Sequence, residues 1–275
     1  GLYGDVELRK YHTPLRDAAV LIAPDCSTAE VRLEYTEALE GTWEVLDGST
    51  VLLSGIYTGD FTFPTEQLLR WSPENPKLYD FTLRCGEDTV SSYFALRTLE
   101  TKEINGIPRL CLNGKPYFFH GVLDQGYWPD GIYTPASEKA FEQDILEMKK
   151  LGFNTLRKHI KVEPEAFYYA CDRLGMIVFQ DMVNNSHYSF LKDTALPTIG
   201  IQKKNDLRSH KNLASRKAFY ECMDATVKQL KNHPCICYWT IFNEGWGQFC
   251  ADAAYDRLKT MDESRFIDST SGWFR

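Results

Sequence analysis

The sequence lacks long apolar runs and any excess of positive charge. No stretch of about 18 consecutive apolar residues occurs, which argues against a membrane-spanning helix. The first ten residues, GLYGDVELRK, lack the apolar core of a secretory signal peptide. The 38 acidic residues outnumber the 31 lysines and arginines, so no basic stripe is available to neutralise nucleic-acid phosphates. We therefore expect neither a membrane nor a nucleic acid as a partner.

The spacings of a disulfide scaffold or a metal site are also missing. Of the eight cysteines, only Cys235 and Cys237 lie close together. On a strand they would point to the same face, which suits neither a disulfide between them nor a tetrahedral zinc site. None of the six histidines shows H-x-x-x-H or H-E-x-x-H spacing. We expect reduced cysteines, a cytoplasmic location and no metal or cofactor.

The first part of the chain contains short segments that alternate between apolar and polar residues, such as AEVRLEY and TVSSYFALRTLE. Turn signals, among them Asp47-Gly48, separate these segments at intervals of about ten residues. This rhythm is typical of an antiparallel β-sandwich. The sequence therefore predicts an immunoglobulin-like β-sandwich over residues 1–104.

From about residue 117 the pattern changes to alternating strands and helices. Apolar strands such as MIVFQDM and CICYWTIFNE alternate with amphipathic helices such as EPEAFYYACDRLG. This alternation predicts a parallel sheet covered by helices, either an open doubly wound sheet or a TIM (β/α)8 barrel. The turn after the first strand, LDQGYWPDG, lacks the G-x-G-x-x-G pattern of open nucleotide-binding sheets.

Polar residues collect where the predicted strands end, which is where barrel enzymes build their active sites. They are His120, Asp124, Arg157, His159, Gln180, Asp181, Asn243, Glu244 and Asp268. A complete barrel needs eight strand–helix units, and residues 105–275 contain about five strands. We predict an incomplete TIM barrel over residues 105–275.

Several motifs occur together and in order. KNHPCICYWTIFNEGWG joins Asn-His-Pro to an apolar strand that ends in Asn-Glu, and it follows LNGKPYFFHGV (112–122) and LGFNTLRKHIKVEPEAFYYACDRLGMIVFQDM (151–182). WSPENPKLY (71–79) lies further upstream. These stretches resemble glycoside hydrolase family 2, the family of β-galactosidases, β-glucuronidases and β-mannosidases. The resemblance covers nearly the whole chain.

The resemblance implies a retaining β-glycosidase with a carbohydrate substrate. Glu244 matches the family's acid/base, and Asn243 matches the residue that binds the sugar 2-hydroxyl. The family's nucleophile is a second glutamate on the seventh barrel strand, which this sequence does not reach. We therefore expect a fragment that is inactive by itself. The alternative for Glu244 is that it caps the following helix.

Further substrate-binding candidates come from strand alternation and position. Arg157 and His159 should share one face of the second strand, where they would bind sugar hydroxyls or orient carboxylates. The alternative is a structural ion pair with a neighbouring strand. Lys158 should face the other way and be structural. Asp181 is a candidate for sugar contact or for support of the acid/base.

Two weaker candidates are Asp124, after the first strand, and Trp273, which would stack on a sugar or pack in the core. Two other functions stay open: a non-catalytic carbohydrate-binding protein on the same fold, and a metal-dependent hydrolase using His120, His159 and Asp181. A truncated barrel would also expose sheet edges, so we expect the fragment to self-associate. The sugar itself is not predicted.

Overall fold

The computed structural model describes residues 6, 8, 10–184, 189–201 and 206–272. The chain forms two compact units. The first comprises residues 1–117 with 232–234, and the second comprises residues 118–231 with 235–275. Within the described residues, none of the helices has the length and apolar character needed to cross a membrane.

The first unit contains two antiparallel sheets and a small third sheet. One sheet has the order β1-β2-β5, the second β4-β3-β6-β7, and the third β10-β9-β8. The strands are β1 Leu15–Ile22, β2 Thr28–Tyr35, β3 Gly41–Asp47, β4 Thr50–Tyr57, β5 Phe61–Pro64, β6 Tyr79–Cys85, β7 Asp88–Phe94, β8 Leu99–Ile104, β9 Ile107–Leu112 and β10 Lys115–Pro116.

The first two sheets share one hydrophobic core. Alternate residues of each strand point into it, as the period of two predicts. The Trp43 indole of β3 stacks on the rings of Phe61 and Phe63 from β5, with centroids 5.3 and 5.0 Å apart. Gly55, opposite Trp43 in the β3–β4 pair, leaves room for that indole, because a Cβ there would lie 2.7 Å from its Nε1. The alternation of apolar and polar residues thus corresponds to two antiparallel sheets that pack around one core.

The second unit contains a five-stranded parallel sheet whose spatial order, β11-β12-β13-β14-β15, follows the chain. This order has no point of reversal, which an open doubly wound sheet requires, so it fits the progression of a barrel. The strands are β11 Gly121–Asp124, β12 Thr155–Lys158, β13 Ile177–Asp181, β14 Ile236–Asn243 and β15 Phe266–Ser271.

Helices follow each of the first four strands of this sheet along the chain. They are α1 Lys139–Lys150, α2 Glu165–Leu174, α3 Leu196–Thr198, α4 Leu213–Leu230 and α5 Ala251–Met261, and a π-helical segment, Phe190–Ala195, precedes α3. Apolar residues spaced three or four apart, such as Met223, Val227 and Leu230 of α4, are buried. Gly175 ends α2 in the left-handed conformation. The described part of the sequence between β13 and α4 contains helical turns.

Candidate active site

Four polar side chains meet at the carboxyl ends of β12 to β15. The guanidinium of Arg157 binds both oxygens of Asp181, with Nε–Oδ1 3.0 Å and Nη2–Oδ2 3.1 Å. Its Nη2 also donates to Asn243 Oδ1 at 2.8 Å and to Ser271 Oγ at 3.1 Å. Strand register explains the meeting, since Asn243 pairs with Ser271 across β14 and β15. We call these four residues the Arg157 cluster.

Asp181 anchors the Arg157 cluster from within the fold. Its side chain is fully buried, whereas that of Arg157 is 31% exposed. Burial raises the pKa of Asp181, and the hydrogen bonds and charge of Arg157 oppose that rise, with a smaller contribution from His159. Since both carboxylate oxygens bind Arg157, Asp181 holds the guanidinium of its neighbour in place.

Removing the Asp181 carboxylate should destabilise the fold. We expect Asp181→Ala to lower the free energy of unfolding by about 2 kcal/mol, because it leaves a partly buried guanidinium without its counter-ion. Urea unfolding followed by circular dichroism would measure this. The control is Glu147→Ala, which removes an ion pair with Lys150 whose side chains are 61% and 68% exposed. We expect it to change stability by less than about 0.5 kcal/mol. Equal unfolding midpoints for the two variants would contradict the anchoring role.

Asn243 presents an unpartnered donor. The residue is only 2% exposed, and its Oδ1 accepts from Arg157. A guanidinium can only donate, so this bond fixes which end of the amide is oxygen. The other end, Nδ2, is buried and has no hydrogen-bond partner among the described residues. A buried donor without a partner is unfavourable, and its presence here is typical of a ligand-binding position.

Glu244 follows directly, at the tip of β14. Its side chain is half-buried, and its carboxylate has no hydrogen-bond partner among the described residues. Its backbone is left-handed, with φ 51°, and Gly245 continues the turn with φ 69°. The helix-cap alternative for Glu244 is wrong, because α5 begins at Ala251 and its N-cap is Cys250. The left-handed turn therefore begins at the residue that carries the carboxyl group, directly after Asn243.

Aromatic rings lie beneath the Arg157 cluster. Phe179 of β13 stacks on Tyr238 of β14 with ring centroids 4.6 Å apart, and Phe266 of β15 lies 6.2 Å from Tyr238. Burial and the nearby charge of Asp268 raise the pKa of Tyr238 to about 12. Tyr238 therefore stays a neutral phenol, and its ring adds aromatic surface to this part of the sheet face.

His159 and Asp124 lie outside the Arg157 cluster. β12 ends at Lys158, so His159 lies beyond it, with its Nδ1 3.4 Å from Gln125 Nε2. The charge of His159 still acts on Asp181. Asp124 accepts from the Lys158 ammonium at 2.7 Å and from the Gly126 N–H at 2.8 Å. Both residues stay predictions as sugar contacts, and Trp273 lies outside the described residues.

Lys158 faces away from the Arg157 cluster, as predicted. It is 1% exposed, binds Glu163 Oε1 at 2.8 Å, and lies over the Phe167 ring of α2. Gln180 also faces the helices, where it accepts from the Tyr168 hydroxyl at 2.7 Å. These contacts give both polar side chains a structural role.

The prediction that His120 ends the first strand is wrong. β11 begins at Gly121, so His120 lies at the amino end of the sheet. There its Nδ1 is 3.2 Å from the Gly152 carbonyl oxygen. The metal-site hypothesis needed His120 beside His159 and Asp181, so it fails on this geometry. Among the described residues, no group of three or more His, Cys, Asp or Glu is arranged to hold a metal ion.

Sequence reasoning missed Ser271, which completes the Arg157 cluster. Ser271 is the last residue of the predicted strand RFIDSTS, and a strand end is where polar candidates were sought. Only Asp268 was chosen from that strand. Asp268 instead accepts from the Thr270 N–H of its own strand at 3.1 Å.

The buried side-chain atoms without a hydrogen-bond partner also lie at or after the strands' carboxyl ends. Among the described residues they are Trp128 Nε1, Glu163 Oε2, Asn184 Oδ1, Asn243 Nδ2, Gln248 Oε1 and Thr270 Oγ1.

Parallel strands that progress in chain order and collect polar side chains at their carboxyl ends are the arrangement of barrel enzymes. Residues 103–273 match the family model described as "Glycosyl hydrolases family 2, TIM barrel domain". The chain therefore belongs to glycoside hydrolase family 2, and the family resemblance of the motifs is confirmed.

Named relatives are glycosidases. The chain is 31% identical over 211 residues to a β-galactosidase of Aeromonas hydrophila, a match covering 74% of this chain and 18% of that protein. It is 28% identical over 229 residues to a β-galactosidase of Yersinia pestis, covering 78% of this chain and 20% of that protein. The chain therefore spans about a fifth of the curated relatives it matches.

Solved structures share the fold. A β-D-glucuronidase from Dictyoglomus thermophilum matches with TM-score 0.73 and 16% identity, over 93% of this chain and 44% of that one. A β-galacturonidase from Eisenbergiella tayi matches with TM-score 0.61 and 21% identity, over 91% of this chain and 44% of that one. At these identities the likeness concerns the fold alone.

Proposed function

We propose that this chain is part of a retaining β-glycosidase of the β-galactosidase or β-glucuronidase type, with Glu244 as its acid/base. The observation that carries the proposal is the buried Nδ2 of Asn243, which has no hydrogen-bond partner among the described residues and belongs to the residue directly before Glu244. A sugar hydroxyl is the kind of acceptor that this donor lacks. The Arg157 cluster holds the amide so that Nδ2 is the end available to the sugar 2-hydroxyl.

In this mechanism the Glu244 carboxyl protonates the glycosidic oxygen as the leaving group departs. It then takes a proton from the water that attacks the glycosyl-enzyme. The fixed Asn243 amide binds the 2-hydroxyl, and such bonds strengthen in the transition state. His159, Asp124 and Trp273 are proposed as further sugar contacts.

Retention also needs a second carboxylate about 5–5.5 Å from the first. Asp181 does not fit this role, because its side chain is fully buried and both of its oxygens are bound by Arg157. The family resemblance assigns the nucleophile to a later strand. We therefore propose that residues 105–275 are the first part of a TIM barrel and that the 275-residue chain is inactive alone.

We also propose that residues 1–104 form an immunoglobulin-like domain. The described sandwich pairs three strands with four, which is the seven-strand count of the constant-type fold. Compactness divides the chain after Tyr117, and the family match begins at residue 103. A cytoplasmic location remains a proposal.

The experiment that tests the proposed function begins by reading the encoding DNA past the codon for Arg275. We expect a glutamate at the end of a seventh barrel strand. The complete encoded protein should then hydrolyse aryl β-galactosides or β-glucuronides with retention, which proton NMR of the first-formed sugar would show. A stop codon directly after Arg275 would favour carbohydrate binding without catalysis.

The 275-residue chain should self-associate. Among the described strands, β11 and β15 are the edges of the parallel sheet, and Leu123 of β11 is 53% exposed. Open edges beside exposed apolar side chains favour pairing with another chain. We expect light scattering to give a mass of at least two chains at tens of micromolar, falling towards one chain on dilution. A constant mass of one chain would contradict this proposal.

A further inference from the structure

The Ser271 hydroxyl joins three groups of the candidate active site. It accepts a hydrogen bond from Arg157 Nη2 at 3.1 Å and another from the backbone N–H of Glu244 at 3.1 Å. It donates to Asn243 Oδ1 at 3.4 Å. Because a serine hydroxyl has one donor and two acceptor positions, these contacts use its whole hydrogen-bonding capacity.

The contact with Glu244 falls where the backbone turns out of the sheet. β14 pairs with β15 as far as Asn243 opposite Ser271, so the next N–H, that of Glu244, lies past the end of the ladder. At that residue φ is 51°, in the left-handed region that side-chain-bearing residues rarely adopt. The Ser271 hydroxyl thus accepts a hydrogen bond from an N–H that no longer takes part in the pairing of β14 with β15.

We infer that Ser271 is a positioning residue for the acid/base step. Its hydroxyl holds the left-handed backbone that directs the Glu244 carboxyl to the glycosidic oxygen, and it helps to fix the Asn243 amide. Ser271 touches no reacting atom itself. The inference rests on the proposed function, because it requires Glu244 to be the proton donor. Proton transfer needs hydrogen-bond reach, so a displaced carboxyl slows it.

The experiment compares two leaving groups on the same sugar. Phenolate departs poorly without a proton, whereas 2,4-dinitrophenolate departs without one. In the complete encoded protein, we expect Ser271→Ala to lower kcat/KM about 10-fold for the phenyl β-glycoside and less than about 2-fold for the dinitrophenyl β-glycoside. Equal losses for both would overturn the inference, since damage to the fold or to sugar binding slows both alike.

Two further variants separate positioning from general damage. Ser271→Thr keeps a hydroxyl on the same carbon, and we expect it to restore most of the phenyl glycoside activity. Ser269→Ala makes the same change two residues earlier on β15, where the hydroxyl has no hydrogen-bond partner among the described residues. We expect it to leave both substrates unaffected. A loss in Ser269→Ala equal to that in Ser271→Ala would count against the inference.

A measurement without turnover tests the contact itself. In the 275-residue chain, we expect the Glu244 amide hydrogen to exchange at least about 10-fold faster in Ser271→Ala than in the wild type, because its acceptor is gone. Unchanged exchange overturns the inference whatever the activity. Faster exchange in a protein whose complete form hydrolyses neither glycoside would confirm the contact, but it would reject the proposed function and with it the positioning role of Ser271.

Discussion

Replacing Glu244 by alanine in the complete encoded protein is expected to lower kcat/KM for a phenyl β-glycoside by about 10²–10⁴-fold. The carboxyl lies at the tip of β14 without a partner among the described residues, and its backbone is held through Ser271. Its loss removes the proton that the phenolate needs. Steady-state kinetics would measure the effect. The control Glu221→Ala removes an exposed carboxylate of α4, 65% exposed at the side chain, and should leave the rate unchanged.

The same Glu244→Ala variant should be rescued by azide when the substrate is a dinitrophenyl β-glycoside. This leaving group departs unaided, so the glycosyl-enzyme forms, but the water that should hydrolyse it has lost its general base. Azide is a small anion that needs no base, and the missing side chain leaves it room. We expect a β-glycosyl azide as product. No azide product, with equal losses on both substrates, would show that Glu244 is not the acid/base.

Part of the candidate site follows from the sequence by simple rules. Arg157, Asp181 and Asn243 stand at the ends of apolar strands, and parallel strands bring their carboxyl ends to one edge. The structure places all three in direct contact there. Lys158, one residue from Arg157, faces the helices as alternation requires. The parallel direction of the strands follows from the alternation of strand and helix in the same way, whereas their order in the sheet does not, because the alternation fits an open doubly wound sheet as well as a barrel.

Strict alternation fails inside β14, and this limits prediction. Tyr238 stacks on Phe179 and Asn243 binds Arg157, so both lie on the face away from the helices although they are five positions apart in the sequence. Phe242 packs on Phe219 of α4, on the other face. An odd spacing on one face requires a local irregularity between Tyr238 and Asn243, which residue pattern alone does not reveal.

The remaining misses have similar physical causes. The apolar run YFFHGV predicts a strand that includes His120, but pairing with β12 begins only at Gly121. Ser271 carries no charge and matches no motif. Its importance comes from the hydrogen bond that its hydroxyl accepts from the Glu244 N–H, just past the end of the β14–β15 pairing. Such a contact depends on the backbone path after β14. It is visible only once the left-handed turn at Glu244 is known.

We expect Asn243 to be the residue that donates a hydrogen bond to the sugar 2-hydroxyl. In the complete encoded protein, we expect Asn243→Ala to lower kcat/KM for a dinitrophenyl β-glycoside by about 10²–10³-fold, because a hydrogen bond to the 2-hydroxyl that strengthens in the transition state contributes several kcal/mol. For the matching 2-deoxy glycoside, the variant and the wild type should have nearly equal kcat/KM. The four kcat/KM values, from two proteins with two substrates each, form a thermodynamic cycle. Its interaction energy, between the amide and the 2-hydroxyl, should be about 3 kcal/mol.

The cycle isolates the amide from other effects of the change. A 2-deoxy sugar reacts at a different intrinsic rate, but that difference is common to both proteins and cancels. The control Asn212→Ala removes the side chain that caps α4 through the N–H groups of Ala214 and Ser215. It should cost about 1 kcal/mol of stability and leave the 2-hydroxyl effect intact. If Asn243→Ala slowed both sugars equally, the free Nδ2 would not be the 2-hydroxyl's partner, and the observation that carries the proposed function would lose its meaning.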